Sequence, residues 1–480
     1  MTTTSAAVLS SLVGRVSEDR PPLYAALADR LRLLVTDGRL PVGCRLPPER
    51  ELALALHVSR ATVSAAYARL REQGWASAVQ GSGTWTRLPA GPELGAWLPS
   101  GEVPGVLDLA HAAPSAPPAV STAYAAALAE LPRLLPRNGY EPYGLPELRA
   151  RIADRFSRRG LPTRPEQVLV TAGALHATTL ALSVLVGPGD RVLVEDPGYP
   201  HAHDAVRAMG ARVVPVRVSA QAPEAVARDV HRAAREASPR AAYLVPEFSN
   251  PTGLLLDDEQ RRRLAVGLEQ CGVVTVVDET LLDLGLDAVP GAPLAAALPP
   301  GLAVTVGSLS KTVWGGLRIG WLRAEPELVR RCAVALSRAH LGLPVLEQLA
   351  ACRLLDVVDE LAHGRQEQLR RSRAALVGAL RRELPEWEVP VPAGGLVLWC
   401  GLPHGSSSAL AAVAERHGLW LAAGPRFGTG TAHDDRLRLP YVHEPKVLDA
   451  AAGRLAAAYA QVTDAAPARP AAGAALDLVV

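Results

Sequence analysis

The N-terminal part of the chain has the hydrophobic pattern of three helices and a hairpin. Leucines recur at helical spacing over residues 22–37, and Gly38 follows as a helix stop. Pro48 opens a short second helix, and Ser59 is placed as the N-cap of a third. The remaining predicted elements are this third helix and two short strands around a glycine-containing turn, at residues 60–73, 75–79 and 84–86.

Further along, short apolar runs rich in β-branched residues alternate with longer runs rich in alanine, leucine and arginine. Such alternation is typical of parallel strands connected by helices. It predicts an α/β fold with a mostly parallel central sheet. The expected strands lie at residues 167–170, 191–194, 211–216, 242–245, 273–277 and 303–306.

Composition suggests how the chain divides. A stretch rich in proline and glycine, with few apolar residues, separates the two patterned regions and predicts a linker. The C-terminus is rich in alanine and proline and predicts a loose tail. We therefore expect a flexible arm, a first domain, a linker, a larger second domain and a flexible tail, at residues 1–20, 21–87, 88–106, 107–463 and 464–480.

The bulk composition favours a soluble cytoplasmic protein of two or three domains. The chain has 480 residues, of which 49% are hydrophobic, so it can form large cores. It lacks an apolar run of membrane-spanning length, and its N-terminus is unlike a signal peptide, so we expect no membrane partner. The 5 cysteines are scattered without C-x-x-C spacing, which argues against disulfides and zinc. No metal site is expected.

Charge is unevenly distributed along the chain. The formal net charge is +2, whereas residues 1–88 contain 11 arginines against 7 acidic residues, a net charge of +4. The excess lies where a nucleic-acid contact would need it. A GC-rich codon bias would also enrich arginine, and it is the simpler explanation.

Three blocks in the first domain, at residues 45–52, 57–63 and 81–84, closely resemble the winged helix-turn-helix of the GntR family. The resemblance implies that the third helix enters the major groove of a double-stranded DNA operator and that the wing approaches the minor groove. The residues expected to contact DNA are Arg50, Ser59, Arg60, Thr62 and Gly81. Alternatively, Arg50 and Arg60 are ordinary solvated helix residues.

Lysine is nearly absent from this arginine-rich chain, which has only Lys311 and Lys446. Arginine carries charge and binds phosphate, but a lysine amine can lose its proton and form a Schiff base with an aldehyde. The segment around Lys311, residues 307–320, resembles the cofactor-lysine segment of fold type I aminotransferases. The resemblance implies the cofactor pyridoxal 5'-phosphate, with Lys311 as the catalytic residue, and a smaller C-terminal α/β subdomain.

Other blocks match the aminotransferase pattern in the expected order. The resemblance implies that Asp278 faces the pyridine nitrogen, that Asn250 bonds the phenolic oxygen and that Tyr199 stacks on the ring. Near Asp278, where many relatives have a tyrosine that donates to the phenolic oxygen, this chain has the shorter Thr280. The residues expected near the phosphate are Gly173, Ala174, Leu175, Ser308, Ser310, Arg318 and, from the partner subunit of a dimer, Tyr140.

A pair of arginines near the C-terminus resembles the segment that binds the carboxylate of an amino-acid substrate. The planar guanidinium of an arginine suits a carboxylate. Arg438 matches the arginine of the family that clamps the carboxylate, whereas Arg436 is expected to be solvated. The sequence therefore predicts an amino acid or amine as the ligand.

Together the two halves resemble a MocR-type regulator, a GntR-family DNA-binding module fused to an aminotransferase-like domain. This resemblance covers residues 22–459 and implies a head-to-tail homodimer that senses an amino acid or amine and regulates transcription. One alternative is a working aminotransferase that carries a DNA module. Another is a DNA-binding protein with a dead cofactor site, for which Thr280 is the only support.

Overall fold

The computed structural model describes three folded bodies, over residues 2–14, 22–36, 38–79, 83–88, 104–430 and 432–463. They are an N-terminal domain, a large lobe and a small lobe. Several expectations lie outside the described residues: the contact of Gly81, most of the linker and the tail at 464–480.

The N-terminal domain has the predicted three helices and hairpin, with one more helix and two more strands. Its elements are β1 (Thr2–Thr3), α1 (Ala6–Val13), α2 (Leu23–Thr36), β2 (Cys44–Arg45), α3 (Glu49–Leu56), α4 (Arg60–Glu72), β3 (Ala76–Val79) and β4 (Gly83–Thr86). The strands form a sheet in the order β1-β2-β4-β3. Leu27, Leu31 and Leu34 are buried on one face of α2, as their spacing predicted.

The expectation of a flexible arm at the N-terminus is wrong for residues 2–14. Ser5 caps α1 by accepting a hydrogen bond from the Val8 amide, and Leu9 and Val13 are fully buried in the core of the N-terminal domain. A helix of eight residues is too short to be stable alone, so its order comes from this packing. A polar, uncharged stretch gave no sign of it.

The strands of the two lobes appear in the order small lobe, large lobe, small lobe. β5 (Leu107–Leu109) comes first and belongs to the small lobe. The large-lobe strands are β6 (Val168–Thr171), β7 (Arg191–Asp196), β8 (Arg212–Arg217), β9 (Ala241–Leu244), β10 (Val274–Asp278), β11 (Ala303–Ser308) and β12 (Gly320–Arg323).

These seven strands form one sheet in the order β6-β12-β11-β10-β9-β7-β8. Only β12 is antiparallel to its neighbours; the other pairs are parallel, which confirms the predicted mostly parallel sheet. The carboxyl ends of β6, β7, β10 and β11 consequently meet at one edge. In open α/β sheets this edge is where ligands bind.

Helices cover both faces of the large sheet, and apolar side chains on each face form a separate core cluster. They are α5 (Ala119–Glu130), α6 (Pro146–Arg158), α7 (Ala174–Leu185), α8 (Pro200–Ala208), α9 (Pro223–Ala237), α10 (Asp258–Gln270), α11 (Leu294–Ala297), α12 (Pro326–Leu336) and α13 (Val345–Asp356). The long helix α14 (Val358–Glu383) then leads into the small lobe.

The small lobe has its own sheet and core. It contains β13 (Val397–Gly401), α15 (Ser407–Ala414), β14 (Leu419–Ala423), β15 (Arg436–Pro440) and α16 (Pro445–Thr463). The sheet order is β13-β15-β14-β5, so β15 is an inner strand. Among the described residues, none of the helices is long and apolar enough to cross a membrane.

Candidate cofactor and effector site

Lys311 lies three residues after the end of β11, at the ligand-binding edge of the large sheet. Its Nζ donates a 2.9 Å hydrogen bond to the carbonyl oxygen of Ala112. Burial and the nearby Arg438 guanidinium lower the pKa of Lys311 to about 8, although Asp278 opposes the shift. A lysine with such a pKa has a substantial neutral fraction near neutral pH, as an amine nucleophile requires.

Asp278 ends β10, and hydrogen bonds fix both of its carboxylate oxygens. Oδ2 accepts from the Tyr243 hydroxyl at 2.6 Å, and Oδ1 accepts from the Thr280 amide at 2.8 Å and from the Thr280 hydroxyl. The expectation for Thr280 therefore changes, because its hydroxyl donates to Asp278 and supports the carboxylate instead of facing a phenolic oxygen. Tyr243 was not predicted, since it lies inside an apolar strand.

The sequence predicts an anion site at the turn between β6 and α7, and the structure changes the expectation for one of its three amides. Gly173 precedes α7 at φ 93°, a conformation that favours glycine, and no side chain caps the helix. The amide of Gly173 itself donates to the Thr171 carbonyl at 2.8 Å, so it is already engaged. The amides of Ala174 and Leu175 have no acceptor within the helix and remain as donors for an anion.

Side chains of the lysine loop surround this turn. The Arg318 guanidinium is exposed beside Gly173 and donates to the Ala172 carbonyl at 2.6 Å. The Ser308 and Ser310 hydroxyls lie 2.7 Å apart, close before Lys311. Gly320 packs so tightly that an added Cβ would lie 2.5 Å from the Gly173 carbonyl carbon, so the turn and the lysine loop are held together.

The segment that carries Asn250 is bonded to a buried glutamate of β7. Glu195 accepts a 2.5 Å hydrogen bond from the hydroxyl of Ser249, the neighbour of Asn250. Burial raises the pKa of Glu195 to about 7, while hydrogen bonds from Ser249 and Val245 oppose the shift. The buried Oδ1 of Asn250 has no hydrogen-bond partner among the described residues, as expected of a polar atom that awaits a ligand.

Tyr199 and Tyr140 differ sharply in environment. Burial, followed by the charge of Asp278, raises the pKa of the Tyr199 phenol, and the Arg438 charge opposes the shift. Tyr199 is therefore close enough to Asp278 and Arg438 for both charges to act on its phenol. Tyr140 is 57% exposed and lies at the protein surface.

Arg438 is a buried cation that forms no ion pair within the described residues. Only 4% of the residue is exposed, and within the described residues no carboxylate oxygen lies within 4 Å of its guanidinium. One Nη donates to the Ala110 carbonyl, Cζ lies 5.0 Å from the centre of the Phe427 ring, and Nε has no acceptor in the part of the chain that the structure describes. Burial lowers the pKa of Arg438 to about 10, although Asp108 and Tyr199 oppose the shift.

The neighbouring Arg436 contrasts with Arg438. It lies 2.7 Å from Glu388 and 3.9 Å from Asp435, so acids already balance its charge. Of the two arginines, Arg438 alone is buried and without an ion pair among the described residues, and its role as the carboxylate clamp stays a prediction. Lys311 and Arg438 also donate to carbonyls of one short segment, at Ala112 and Ala110, so both cations face this segment.

The residues at this sheet edge fit pyridoxal 5'-phosphate. A partly neutral amine suits an aldehyde, a fixed carboxylate suits a ring nitrogen, and an unpartnered amide oxygen awaits a polar group. The start of α7 and Arg318 suit a phosphate. The chemistry of the set matches the groups of this cofactor one by one.

The residues expected to contact DNA lie at the start of α4 and on α3. Ser59 Oγ accepts from the Thr62 amide at 3.0 Å and lies 2.8 Å from Thr62 Oγ1, so both hydroxyls stabilise the helix start. Arg60 is 66% exposed, with Nε 3.4 Å from Glu49, and Arg50 is also exposed. All four predicted contact residues in the described region are therefore accessible or at the helix N-terminus.

Two family patterns match successive parts of the chain. Bacterial regulatory proteins of the gntR family match residues 23–85, and aminotransferases of class I and II match residues 107–455. The pyridoxine biosynthesis transcriptional regulator PdxR of Corynebacterium glutamicum is 30% identical over 438 residues, which are 86% of this chain and 93% of that protein. The chain belongs to the MocR-type regulators of the GntR family.

Other similar proteins include enzymes. The 2-aminoadipate transaminase of Thermus thermophilus is 32% identical to this regulator over 314 residues, 64% of the regulator and 76% of the enzyme. A crystal structure of LysN, the alpha-aminoadipate aminotransferase of Thermus thermophilus, complexed with N-(5'-phosphopyridoxyl)-L-leucine, superposes with a TM-score of 0.68 at 29% identity, covering 75% of the regulator and 94% of LysN. The enzyme matches cover the lobes and support dependence on pyridoxal 5'-phosphate.

Proposed function

We propose that this regulator binds an operator through its N-terminal domain and senses an α-amino acid at the edge of the large sheet. The observation that carries the proposal is the buried charge of Arg438, which forms no ion pair within the part of the chain that the structure describes. An unpaired buried cation is costly to the protein and attracts an anionic partner. A carboxylate matches the guanidinium fork, whereas an amine without a carboxylate would leave Arg438 unpaired.

In this proposal pyridoxal 5'-phosphate, when bound, supplies an electrophilic aldehyde on a ring that carries a phosphate. Lys311 provides the amine that holds the aldehyde, and Asp278, fixed by Tyr243, holds a proton at the ring nitrogen. Asn250 and Tyr199 face the ring. The phosphate-binding groups are proposed to be Ala174, Leu175, Ser308, Ser310 and Arg318.

The domain boundaries, assembly and location also belong to the proposal. We place the DNA-binding domain at residues 21–87 with α1 added to it, and the cofactor-binding domain at residues 107–463. The regulator acts in the cytoplasm as a head-to-tail homodimer that brings two DNA-binding domains together. The exposure of Tyr140, at 57%, is consistent with a role for it at the partner subunit's site.

The proposal is tested by titrating the purified, cofactor-loaded protein with the common L-amino acids and with amines that are the same molecules without the carboxylate. A change in cofactor absorbance with an amino acid but not with its matching amine is expected. Equal responses to both would overturn the proposed role of Arg438. Adding a 2-oxo acid and measuring amino-group transfer tests the alternative of a working aminotransferase, which multiple turnovers would support.

A further inference from the structure

Two arginines of α2, Arg30 and Arg32, bond the N-terminal domain to the small lobe. Arg30 is largely buried, with 15% of its side chain exposed. Its guanidinium donates to Asp434 Oδ2 at 3.0 Å, to Ser406 Oγ at 3.1 Å and to the Val13 carbonyl at 2.9 Å. Each of the three nitrogens therefore has an acceptor, and one side chain links α1, α2 and the small lobe.

Asp434 is in turn held firmly within the small lobe. Its Oδ1 accepts from the Ser408 amide at 3.0 Å and from the Ser408 hydroxyl at 2.7 Å, and its Oδ2 accepts from the Ser406 hydroxyl at 2.7 Å. Ser406 is the N-cap of α15. Asp434 thus joins the start of α15 to Arg30, and a shift of the small lobe carries this carboxylate with it.

The chain on either side of Asp434 contacts the large lobe and leads to Arg438. We name residues 424–430 and 432–435 the crossover segment. Asp196, at the end of β7, accepts from Thr429 at 2.8 Å and lies 2.7 Å from His433 Nε2, and the Gly198 amide donates to the Phe427 carbonyl at 2.8 Å. The segment is therefore bonded to the loop that leads to Tyr199.

The crossover segment also leads directly to the proposed effector clamp. β15 begins at Arg436, and Arg438 lies four residues after Asp434. A single short stretch of chain consequently touches the large lobe at Asp196, the N-terminal domain at Arg30 and the clamp. Any change in the angle between the lobes must act on its contacts.

Resting on the function proposed above, we infer that the Arg30–Asp434 contact transmits ligand binding at Arg438 to the DNA-binding domain. Arg30 is a positioning residue in this scheme, because it touches neither DNA nor ligand. A largely desolvated charge pair with several hydrogen bonds is sensitive to a small displacement. The neighbouring Arg32–Glu415 pair, at 3.0 Å, has its glutamate 34% exposed, so solvent screens it and we expect no measurable coupling through it.

The matched test uses Arg30→Gln and, as the control, Arg32→Gln in the full-length, cofactor-loaded protein. The DNA probe is a fluorescent duplex selected from random sequence by the wild-type protein, and the ligand is the L-amino acid that changes the wild-type absorbance most. Wild type is expected to change its DNA affinity on ligand addition by a factor within the usual range for coupled sites, roughly 5- to 150-fold. In Arg30→Gln this factor falls to unity while the absorbance response persists.

Linkage supplies a second readout, because coupling between two binding sites is reciprocal. Saturating DNA must alter the amino-acid affinity of wild type and Arg32→Gln by the same factor as above, and must leave that of Arg30→Gln unchanged. An Arg30→Gln protein that couples as wild type does, or a wild type whose absorbance responds but whose DNA affinity does not, would overturn the inference. No absorbance response to any amino acid would instead refute the proposed function.

The contact itself is tested without any ligand by amide hydrogen exchange of the full-length protein. Loss of exchange protection is expected over α2 and the start of α15 in Arg30→Gln and not in Arg32→Gln. Unchanged protection in both variants would refute the docking contact in solution. The double variant Arg30→Asp with Asp434→Arg, which restores the pair with its charges exchanged, is expected to recover part of the protection.

Discussion

The phenol of Tyr243 donates a 2.6 Å hydrogen bond to Oδ2 of Asp278 from the neighbouring strand of the large sheet. The strand register pairs Tyr243 directly with Val276, two residues before Asp278. Tyr243→Phe removes the donor and leaves a buried carboxylate oxygen with one partner fewer. We expect a loss of about 1–3 kcal/mol in stability, measured as a lower thermal midpoint of the cofactor-free protein. An unchanged midpoint would show that the bond contributes nothing.

Lys311→Ala and Lys311→Arg are expected to abolish covalent attachment of pyridoxal 5'-phosphate. Neither side chain supplies a reactive amine at the end of β11. Borohydride treatment of the loaded wild type should fix the cofactor to Lys311, as peptide mass spectrometry will report. Lys446→Arg serves as the control and should behave as wild type. A label on Lys446, or persistent bound-cofactor absorbance in Lys311→Ala, would contradict the assignment.

Cofactor uptake should depend on pH through the lowered pKa of Lys311, which is about 8. The neutral amine is the reactive form, so the uptake rate should rise with pH up to about 8 and level off above it. Stopped-flow absorbance after mixing the cofactor-free protein with pyridoxal 5'-phosphate measures this rate. A simple alkylamine, with a pKa near the lysine value of about 10.4, should still show a rising rate above pH 8. A protein profile that follows the alkylamine would show that Lys311 is not perturbed.

Arg438→Ala is expected to abolish the absorbance response to amino acids while the bound-cofactor spectrum stays intact. Its guanidinium is the proposed partner of the incoming carboxylate. It contacts Ala110 and Phe427, and it acts on Lys311 only through its charge. Arg436→Ala is the matched control two residues away, and it should respond as wild type because Glu388 and Asp435 already balance its charge. A response in Arg438→Ala equal to that of wild type would point to an amine ligand.

Arg60→Ala is expected to weaken operator binding by roughly 1–3 kcal/mol if the guanidinium reads a guanine. The bound-cofactor absorbance should not change, because Arg60 lies on α4 of the N-terminal domain. Arg228→Ala removes an arginine that is 74% exposed on the large lobe, and serves as the control for non-specific charge loss. Equal affinities of wild type and Arg60→Ala in a mobility-shift assay would remove Arg60 from the DNA contacts.

Much of the fold could be predicted because its strands are long apolar runs that end in polar residues. Strand β12 could not, since the four residues Gly320–Arg323 carry no such run and are ordered by pairing with β11 and β6. The strands β13 to β15 were not predicted either, and here β13 and β14 do carry apolar runs, but runs this short do not distinguish a strand from a buried helix segment. Their order depends on the small-lobe core, which brings together residues far apart in the chain.

The site residues that could be predicted are those whose residue type and position are tied to one chemical role. A lysine in an arginine-rich chain and an aspartate at a strand end both stand out, whereas the supporting contacts of the site do not. Tyr243 reaches Asp278 only through the strand register, and Glu195 reaches Ser249 across 54 positions of sequence. In the sequence Arg30 looks like an ordinary solvated residue of a helix. Only the tertiary structure shows that it donates a hydrogen bond to Asp434.

Arg438 lies on the inner strand of the small-lobe sheet, where Trp399 and Ala422 pair with it on either side. Because hydrogen bonds hold this strand along both edges, the guanidinium cannot approach or retreat by a local adjustment of the backbone. The separation between Arg438 and Lys311 is therefore set by the orientation of one whole lobe against the other. Ligands with different spacings between their amino and carboxylate groups would require different angles between the lobes. Residues that set this angle can therefore change ligand selectivity although they lie far from the ligand.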